Sequence, residues 1–502
     1  MISAGADAPD KKSDGYLWAR WLFLRGLGLI FLSAFYSLAF QIRGLIGERG
    51  ILPADRYLEQ LSSQLGPIQR IWYAPTLLWV NASDAMLSLI VVAGIVASVL
   101  MVFNIWPKLT VALCTLLFLS CIGALQDFSS YQSDGMLLEA GFISFFFAPR
   151  GKRPGLGAVD PPSRLSLFML RWEWFRIYFE SGLVKILSGD QSWRNFTAMD
   201  EYYQNGPLPA WLGWYVQHFP HWYHAGTVLL TFFVELILVW AVFLPRRFRV
   251  VCFVIVTALQ IGIITTANYG FLNYVVLVLG VLLLDDPTLV RIGFPPPSTR
   301  APIEHGQIYR RVETAVLGVA LYTTIAAFLI GGSSSILSLP YRLLSPFRIA
   351  NAYGLFAIMT PARYEIEFQG SNDGVKWVPY AFRYKPQDVY ERPGFYALYQ
   401  PRFDWNLWFA SLAPWQQNPW VVLTEERLLE GSPSVLSLFR DDPFKGKPPA
   451  MVRTVLSQYW FTDLKTKRKS GAWWRRQEIG PFSPSVTRGN DGLPEVNPVS
   501  SP

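Results

Sequence analysis

The sequence predicts a mainly α-helical bundle of about nine membrane spans, followed by an extramembrane α+β domain that is rich in β-structure. Of the 502 residues, 51% are hydrophobic and only 16% are charged, whereas soluble domains carry about 25% charged residues. Apolar stretches of near-spanning length recur up to about residue 331 and then stop, and such stretches are typical of transmembrane helices. Beyond residue 335, apolar and polar residues alternate, which is typical of strands.

The predicted membrane domain comprises residues 17–334 and follows a polar tail at residues 1–16. No short cleavable apolar segment follows the tail, so the first apolar run is predicted to be a retained span rather than a signal peptide. Several apolar stretches are short, and a re-entrant pair around TANYGFLNY (266–274) would lower the number of spans. The predicted spans lie near residues 20–40, 84–104, 109–125, 136–148, 165–187, 226–244, 250–267, 271–284 and 312–331.

Charged residues between the spans predict the orientation of the bundle. The short connections at 150–154 (RGKRP) and 246–249 (RRFR) are basic, whereas the connection at 126–134 (QDFSSYQSD) is acidic. Lys and Arg prefer the cytoplasmic side of a membrane. We therefore expect the N-terminus in the cytosol. The C-terminus and a long loop at 188–225 are then expected on the lumenal or periplasmic side.

A change in residue pattern marks the predicted C-terminal domain, residues 335–483. The segment RYEIEFQGSNDGVKWVPYAFRY (363–384) alternates apolar and polar residues on both sides of the turn-forming SNDG, which predicts a β-hairpin. Residues 418–444 have helical spacing in two short pieces, interrupted by Gly and Pro. The last segment, 484–502, is rich in Pro, Ser, Gly and Asn and is predicted to be a disordered tail.

One predicted span, RWEWFRIYFESGLVKILSGD (171–190), carries ionisable residues along its whole length. Glu173, Arg176 and Glu180 are three and four residues apart and share one helical face. Lys185 lies on roughly the opposite face. A charge in the middle of a membrane is costly, so we expect this helix inside the bundle or beside a wet cavity. We predict that Glu180 and Glu235 hold Arg176.

Charged residues from several spans make up the predicted intramembrane polar network: Arg25, Glu139, Glu173, Arg176, Glu180, Lys185 and Glu235. Two interpretations stay open. In the first, the ions pair and thereby fix the helices against one another. In the second, they form a site for a substrate, a lipid head group or proton chemistry, because intramembrane ionisable residues are functional candidates by default.

Aromatic residues of the predicted exported regions are candidates for contact with a client protein: Trp193, Tyr202, Tyr203, Trp211, Trp214, Trp405 and Trp408. Such contacts require exposed apolar surface. Trp211 and Trp214 can equally anchor a loop at the membrane surface. Trp405 and Trp408 can equally belong to the core of the C-terminal domain.

No catalytic, cofactor or metal site is predicted. His218, His221 and His224 are spaced three residues apart, but Pro220 interrupts the helix and no acidic or Cys ligand lies in that segment. An interfacial aromatic loop is therefore favoured over a zinc site. The sequence contains no G-x-S-x-G elbow and no common Gly-rich phosphate loop. Lys and Arg are scattered between apolar blocks, which argues against nucleic acid as a partner.

Three long motifs together resemble the lipase maturation factor family. They are YQSDGMLLEAGF (131–142), RIYFESGLVKILSGDQSWRNFTAMDEYYQNGPLPAWLGWY (176–215), and FQGSNDGVKWVPYAFRYKP with QPRFDWNLWFASL (368–412). The resemblance extends from about residue 16 to 487. It implies a chaperone-like maturation factor in the membrane of the endoplasmic reticulum, or in the cytoplasmic membrane of a bacterium. The implied partners are immature exported proteins, by resemblance dimeric secreted lipases such as lipoprotein lipase.

Two other functions stay open. The charged spans look broadly similar to those of vitamin K-dependent carboxylases, in which case Lys185 or Glu180 is a candidate base. The same spans are compatible with a transporter of lipids or small molecules. Animal members of the family resembled are linked to thiol–disulfide chemistry, which needs an accessible thiol. Because Cys114, Cys121 and Cys252 all lie in predicted spans, we expect no redox role.

Overall fold

Helices fill the first two-thirds of the chain. The computed structural model describes residues 15–129, 131–298, 301, 303, 306–331, 335–489 and 494–497. The predicted polar tail therefore lies almost entirely outside the described residues. Within them, a helix coincides with each of the nine predicted spans. These helices are α1 (Leu17–Ala39), α2 (Asp84–Val102), α3 (Pro107–Ile122), α4 (Gln132–Phe147), α5 (Arg164–Leu187), α6 (His221–Phe243), α7 (Arg246–Thr266), α8 (Leu272–Leu283) and α9 (Gln307–Ile330).

Five of the described helices are long and apolar enough to cross a membrane, so the chain is an integral membrane protein. They are α1, α2, α6, α7 and α9, whereas α3 and α8 are apolar but shorter. The remaining two, α4 and α5, carry buried charged residues. Between α7 and α8, at the predicted re-entrant position, Ala267 pairs with Pro209 in an isolated β-bridge.

The interior of the bundle forms around α1. This helix packs against α2, α3, α4 and α8. In the most apolar stretch of α1, 61% of the residues are buried, whereas only 22% are buried in the corresponding stretch of α7. Helix α7 therefore lies at the periphery. Phe23, Phe31 and Phe35 of α1 are fully buried. Gly94 lets α2 approach α1 closely, because a Cβ atom at this position would overlap the Phe35 ring.

An antiparallel sheet organises the C-terminal region. Its described strands are β1 (Arg363–Ser371), β2 (Val378–Pro379), β3 (Met451–Phe461), β4 (Trp474–Pro481), β5 (Ser485–Arg488) and β6 (Pro494–Asn497). The strand order is β2–β1–β3–β5–β6, and β4 also pairs with β3. The predicted hairpin corresponds to β1 and β2, of which β2 comprises only Val378 and Pro379.

Two helices, α10 (Arg402–Ala410) and α11 (Trp420–Leu429), pack against this sheet, and α12 (Leu464–Ser470) connects β3 with β4. The aromatic core beneath them includes Phe403, whose ring centroid lies 5.2 Å from that of Phe439 and 6.3 Å from that of Phe368. The two short helical pieces predicted within 418–444 correspond to α11 and Pro433–Leu436.

The prediction that residues 484–502 are disordered is wrong for two segments of this tail, which form β5 and β6. Met451 and Val452 of β3 pair with Thr487 and Val486 of β5. Val486 is fully buried, so hydrogen bonding to β3 and burial of an apolar side chain both order this strand. β6 then pairs with β5. The residues between these strands and after β6 lie outside the described part.

Residues 350–360, called the strap below, lie between the last span and β1. The strap contains no helix or strand. It runs along α4 and α5, and its backbone is hydrogen-bonded to both helices. A second link joins the two regions: the guanidinium of Arg402 on α10 forms a bidentate ion pair with Asp134 on α4, at 2.7 and 2.8 Å.

Candidate functional site

Helix α5 positions most of the predicted polar network. It begins after Ser163, whose hydroxyl accepts the Ser166 amide, and it contains no proline. α4, α6, α8 and α9 pack around it. Four charged side chains of the helix, Glu173, Arg176, Glu180 and Lys185, are buried, whereas Arg164 is exposed and Arg171 half-buried. The prediction that this helix lies inside the bundle is therefore confirmed.

Arg176 lies at the centre of the first ion cluster. Its guanidinium donates to the carboxylate of Glu139 on α4 and, at 2.5 Å, to the carbonyl oxygen of Asn351 in the strap. Glu180 lies 3.9 Å away, one turn along α5. Glu180 is thus a partner, as predicted, but Glu235 is not. Glu139 takes the place predicted for Glu235, because α4 packs against α5 at the height of Arg176.

The carboxylates of this cluster also bind the strap. Glu139 accepts the Tyr353 hydroxyl at 2.9 Å. Five strap amides donate to side chains of the membrane domain and its loops: Asn351 to Glu139 (3.0 Å), Tyr353 to Glu180 (2.7 Å), Gly354 to Gln132 (3.0 Å), Leu355 to Ser181 (3.2 Å) and Met359 to Asp190 (2.6 Å). Irregular backbone is stable inside a membrane protein only where such partners satisfy it. The buried ions therefore hold a non-helical segment in place.

Lys185 and Glu235 form a separate ion pair. The ammonium nitrogen lies 2.8 and 3.0 Å from the two carboxylate oxygens. Glu235 is on a π-helical turn of α6, Phe233–Ile237, and turns of this kind are frequent at functional sites. Gly182 permits the close approach, because a Cβ atom there would lie 2.8 Å from the Glu235 Cβ.

The two other members of the predicted network differ in their surroundings. Glu173 is fully buried near Glu139 and Arg176, and its oxygens make no well-formed hydrogen bond to the described residues, although the Ala140 amide is close. The Arg25 guanidinium donates to the Met101 carbonyl at 3.2 Å. No ion pair or hydrogen bond among the described residues joins Arg25 to the other members. Its predicted membership in the network is therefore wrong.

A cavity of about 710 Å³, called the lateral cavity below, lies between α5, α6, α7 and α8. Apolar side chains line most of it, including Leu230, Val254 and Ile263. Lys185 and Glu235 lie in its wall. Strap residues and aromatic side chains of the 188–225 loop close it at one end: Trp193, Tyr202, Tyr203, Leu355, Phe356 and Met359.

A second cavity of about 420 Å³, called the aromatic groove below, lies on the other side of the strap. Trp405, Trp408 and Phe409 of α10 line it together with Tyr131. Ile358 of the strap is 73% exposed at this groove. Leu355, Phe356 and Met359 line both cavities, so the strap is their common wall.

Comparison with known proteins covers both regions of the chain. Residues 18–291 match the model of the lipase maturation factor transmembrane domain, and residues 349–484 match that of the lipase maturation factor C-terminal domain. The chain belongs to the lipase maturation factor family. Lipase maturation factor 1 of Bos taurus is 30% identical over 96% of this chain and 91% of its own length. Lipase maturation factor 2 of Homo sapiens is 30% identical over 94% of this chain and 83% of its own length. No solved structure matches significantly.

Most of the predicted client-contact residues of this family member are buried. Trp193, Tyr202, Tyr203, Trp214, Trp405 and Trp408 are each at most 8% exposed, and only Trp211 is half-buried. Client contact requires exposed aromatic surface, and the prediction that these six side chains provide it is therefore wrong. Two of the indole nitrogens hold the fold: Trp193 donates to the Phe356 carbonyl and Trp408 to the Asn205 carbonyl, both at 3.0 Å. Those of Trp214 and Trp405 make no hydrogen bond to the described residues.

Sequence reasoning missed the residues that are exposed at these surfaces. In the lumenal or periplasmic loop predicted above, Trp222 is 74% and Phe219 46% exposed. At the aromatic groove, Ile358 and Phe409 are 73% and 48% exposed. The sequence signal was present for Phe409, which adjoins Trp408 in FDWNLWFASL. No pattern marked the strap, because it has neither helical nor strand periodicity.

The three clustered histidines lie in different surroundings in this family member. The ring nitrogens of His218 lie 2.7 and 3.0 Å from the carbonyl oxygens of Trp214 and Thr462. His221 contacts the Asp200 carboxylate, and His224 is buried beside Tyr203. The arrangement serves to position a loop. Cys114, Cys121 and Cys252 are unpaired and buried in spans, which leaves these thiols inaccessible.

Proposed function

We propose that this chain is a membrane-anchored folding factor that helps exported proteins, including secreted lipases, to mature. The observation that carries the proposal is the full-length relationship to proteins named lipase maturation factors, with both family domains present in order. The membrane would be that of the endoplasmic reticulum in a eukaryote and the cytoplasmic membrane in a bacterium. The chaperone-like mechanism is our inference from the surfaces described above.

The proposed orientation places the aromatic groove on the export side. Arg246 and Arg249 bind Asp285 at 2.5 and 3.2 Å, and Arg249 also donates to the hydroxyl of Tyr16 at 3.0 Å. These cationic residues therefore gather near the start of α1, at the end of the bundle that we assign to the cytosol. The strap binds the other half of α5, at Glu180. This placement supports a C-terminal region that meets clients after their export.

The aromatic groove is the proposed client-binding surface. Ile358 and Phe409 expose apolar area at this groove, whereas Trp405 and Trp408, which also line it, are almost fully buried. Exposed apolar patches of this kind mark interaction sites. An immature protein exposes apolar segments that a folded protein buries, so a groove of this composition would prefer the immature state.

Co-expression of a dimeric secreted lipase with this chain, in cells that lack their own family member, tests the proposal. Ile358→Asp and Phe409→Asp place a charge at the groove without filling the core. Val375→Asp is the matched control, since Val375 is 85% exposed at the turn after β1 and does not line the groove. We expect both groove variants to lower the activity of secreted lipase per mass of lipase several-fold, at unchanged levels of the membrane protein. Equal lipase activity with and without the wild-type chain would refute the proposed function.

A membrane-embedded enzyme has weaker support. Glu180 does not line the lateral cavity, and its oxygens already bind Arg176 and the Tyr353 amide. Lys185 does line it, but its ammonium is bound by both oxygens of Glu235. A general base needs a free, correctly protonated nitrogen or oxygen within reach of the substrate. Neither of the two candidate bases offers one in this arrangement.

A further inference from the structure

The lateral cavity opens towards the lipid. Leu230 of α6 and Val254 of α7 both line it. The same two side chains are 41% and 58% exposed, and from this exposure we infer that the cleft between α6 and α7 reaches the periphery of the bundle. Both helices are long and apolar enough to span the membrane, and α7 is the least buried of the described candidates. At this depth, the medium outside the cleft is hydrocarbon.

The size and lining of the cavity fit a hydrocarbon chain. Its volume of about 710 Å³ falls in the range of roughly 300–1,000 Å³ that small-molecule sites occupy. Leu259, Ile263 and Val276 are among the apolar side chains that line it. These apolar side chains offer an acyl chain close contacts.

Polar side chains of α5, α6, α7, α8 and the 188–225 loop also line the cavity, among them Tyr178, Glu235 and Asn273. The Tyr178 hydroxyl accepts a hydrogen bond from the Gln260 amide at 2.7 Å. Its own proton has no acceptor among the described residues, so it is free to donate to a ligand. The Glu235 carboxylate accepts from Lys185 and keeps lone pairs that a ligand hydroxyl can reach. Tyr178 and Glu235 therefore offer a ligand one donor and one acceptor.

The charge balance of the cavity selects the head group. Among its lining residues, all of which are described, Lys185 is the one cation and Glu235 the one anion, and they neutralise each other. A carboxylate or phosphate brought into this cavity would be a buried charge without a counter-ion, which is strongly unfavourable. An uncharged head group with a hydroxyl and an ester carbonyl satisfies the donor and the acceptor at no such cost.

We propose that the lateral cavity binds an uncharged, glycerol-ester type of membrane amphiphile, with its hydrocarbon chain between α6 and α7 and its head group at Tyr178 and Glu235. This inference goes beyond the proposed folding activity and does not depend on it, because no client protein takes part. The lipid enters sideways from the bilayer. No covalent chemistry is involved.

Photolabelling of the purified full-length protein in nanodiscs tests the site. The probe is 1-oleoylglycerol that carries a diazirine in its acyl chain, and the comparison probe is the corresponding diazirine oleate. Gly262→Leu fills the cleft, since Gly262 lines the cavity and an added Cβ atom meets no atom within 4 Å. Gly226→Leu is the matched control, because this helical glycine is equally open but does not line the cavity.

We expect the glycerol ester to label peptides of α5, α6 or α7 in the wild type and in Gly226→Leu, and to label Gly262→Leu several-fold less. Oleate should label the wild type several-fold less than the ester does. Tyr178→Phe, which keeps the ring but removes the donor, should also weaken labelling by the ester. Equal labelling of the two glycine variants would overturn the site, and oleate labelling as strong as that of the ester would overturn the uncharged head group.

Discussion

At the scale of single residues, the position of each intramembrane ion along α5 determines its partner. Arg176 and Lys185 are nine residues apart, which is about 13 Å along a helix. Glu139 lies at the level of the first and Glu235 at the level of the second. Sequence analysis identified the buried charges because they interrupt an apolar span. It paired Arg176 with the wrong glutamate because spacing along one helix does not fix the height of another.

Reversal of the Lys185–Glu235 ion pair tests this assignment. Lys185→Glu places two carboxylates together, so it should lower the unfolding temperature markedly. The double variant Lys185→Glu/Glu235→Lys should recover part of the loss, because residues in direct contact couple by about 0.5–3 kcal/mol. The variant Arg176→Glu/Glu235→Arg should show no such recovery. Thermal unfolding of the purified variants in one detergent measures all of them. Recovery in the Arg176 double variant instead would contradict the assignment.

Asp404, in the C-terminal region, makes stability depend on pH. Burial raises the pKa of its carboxyl from 3.8 to about 6, against the opposing effect of the Lys385 and Tyr384 amides, each 3.1 Å away. The folded state therefore binds this proton more tightly than the unfolded state. The stabilisation is complete below about pH 4 and is lost as the pH rises through 6.

The variant Asp404→Asn keeps an oxygen for both amides but does not titrate. The unfolding temperature of the wild type should therefore rise relative to that of the variant between pH 7 and 4.5, by the equivalent of roughly 1–3 kcal/mol. Parallel curves of unfolding temperature against pH would show that Asp404 has no such role. The comparison between the two proteins removes the contributions of other buried carboxyls.

At the scale of elements, the helices were predictable and the strap was not. A helix lies on every predicted span, because long apolar stretches are a local signal. The strap has no periodicity, and the acceptor of its Tyr353 amide is 173 residues away in the sequence. β5 was missed for a related reason: its composition resembles a disordered tail, whereas its order depends on pairing with distant β3.

Hydrogen exchange measured by mass spectrometry tests how the carboxylates hold the strap. Glu180→Leu removes the acceptor of the Tyr353 amide, so peptides that cover residues 350–360 should exchange faster. Glu180→Gln keeps an amide oxygen at this position and should stay close to the wild type. Peptides from β1 serve as the internal control. Unchanged exchange in Glu180→Leu would mean that the strap is held without this hydrogen bond.

At the scale of the whole molecule, one buried ion pair connects the C-terminal region to the membrane bundle. Arg402 and Asp134 are both fully buried. Arg402→Met leaves the Asp134 charge buried without its partner, which costs about 3–5 kcal/mol. Arg440→Met is the matched control, since Arg440 and Glu391 form an exposed pair that is worth about 1 kcal/mol or less.

We expect limited proteolysis to release the C-terminal region from Arg402→Met at protease concentrations that leave the wild type and Arg440→Met intact. Equal resistance of the two arginine variants would show that the regions are joined by other contacts alone. Sequence analysis could not foresee this link. Asp134 and Arg402 lie in the first turns of α4 and α10, where a charged residue is common, and 268 residues separate them.

The strap also sets the order of events during biosynthesis. Glu139 and Glu180 enter the translocon as parts of α4 and α5, long before the ribosome has made residues 351–353, whose amides they accept. Until that stretch of nascent chain arrives, these two carboxylates lack the amide donors that they bind in the finished fold. The membrane half of the protein therefore completes its interior only after all of its spans, and the segment that follows them, have been synthesised.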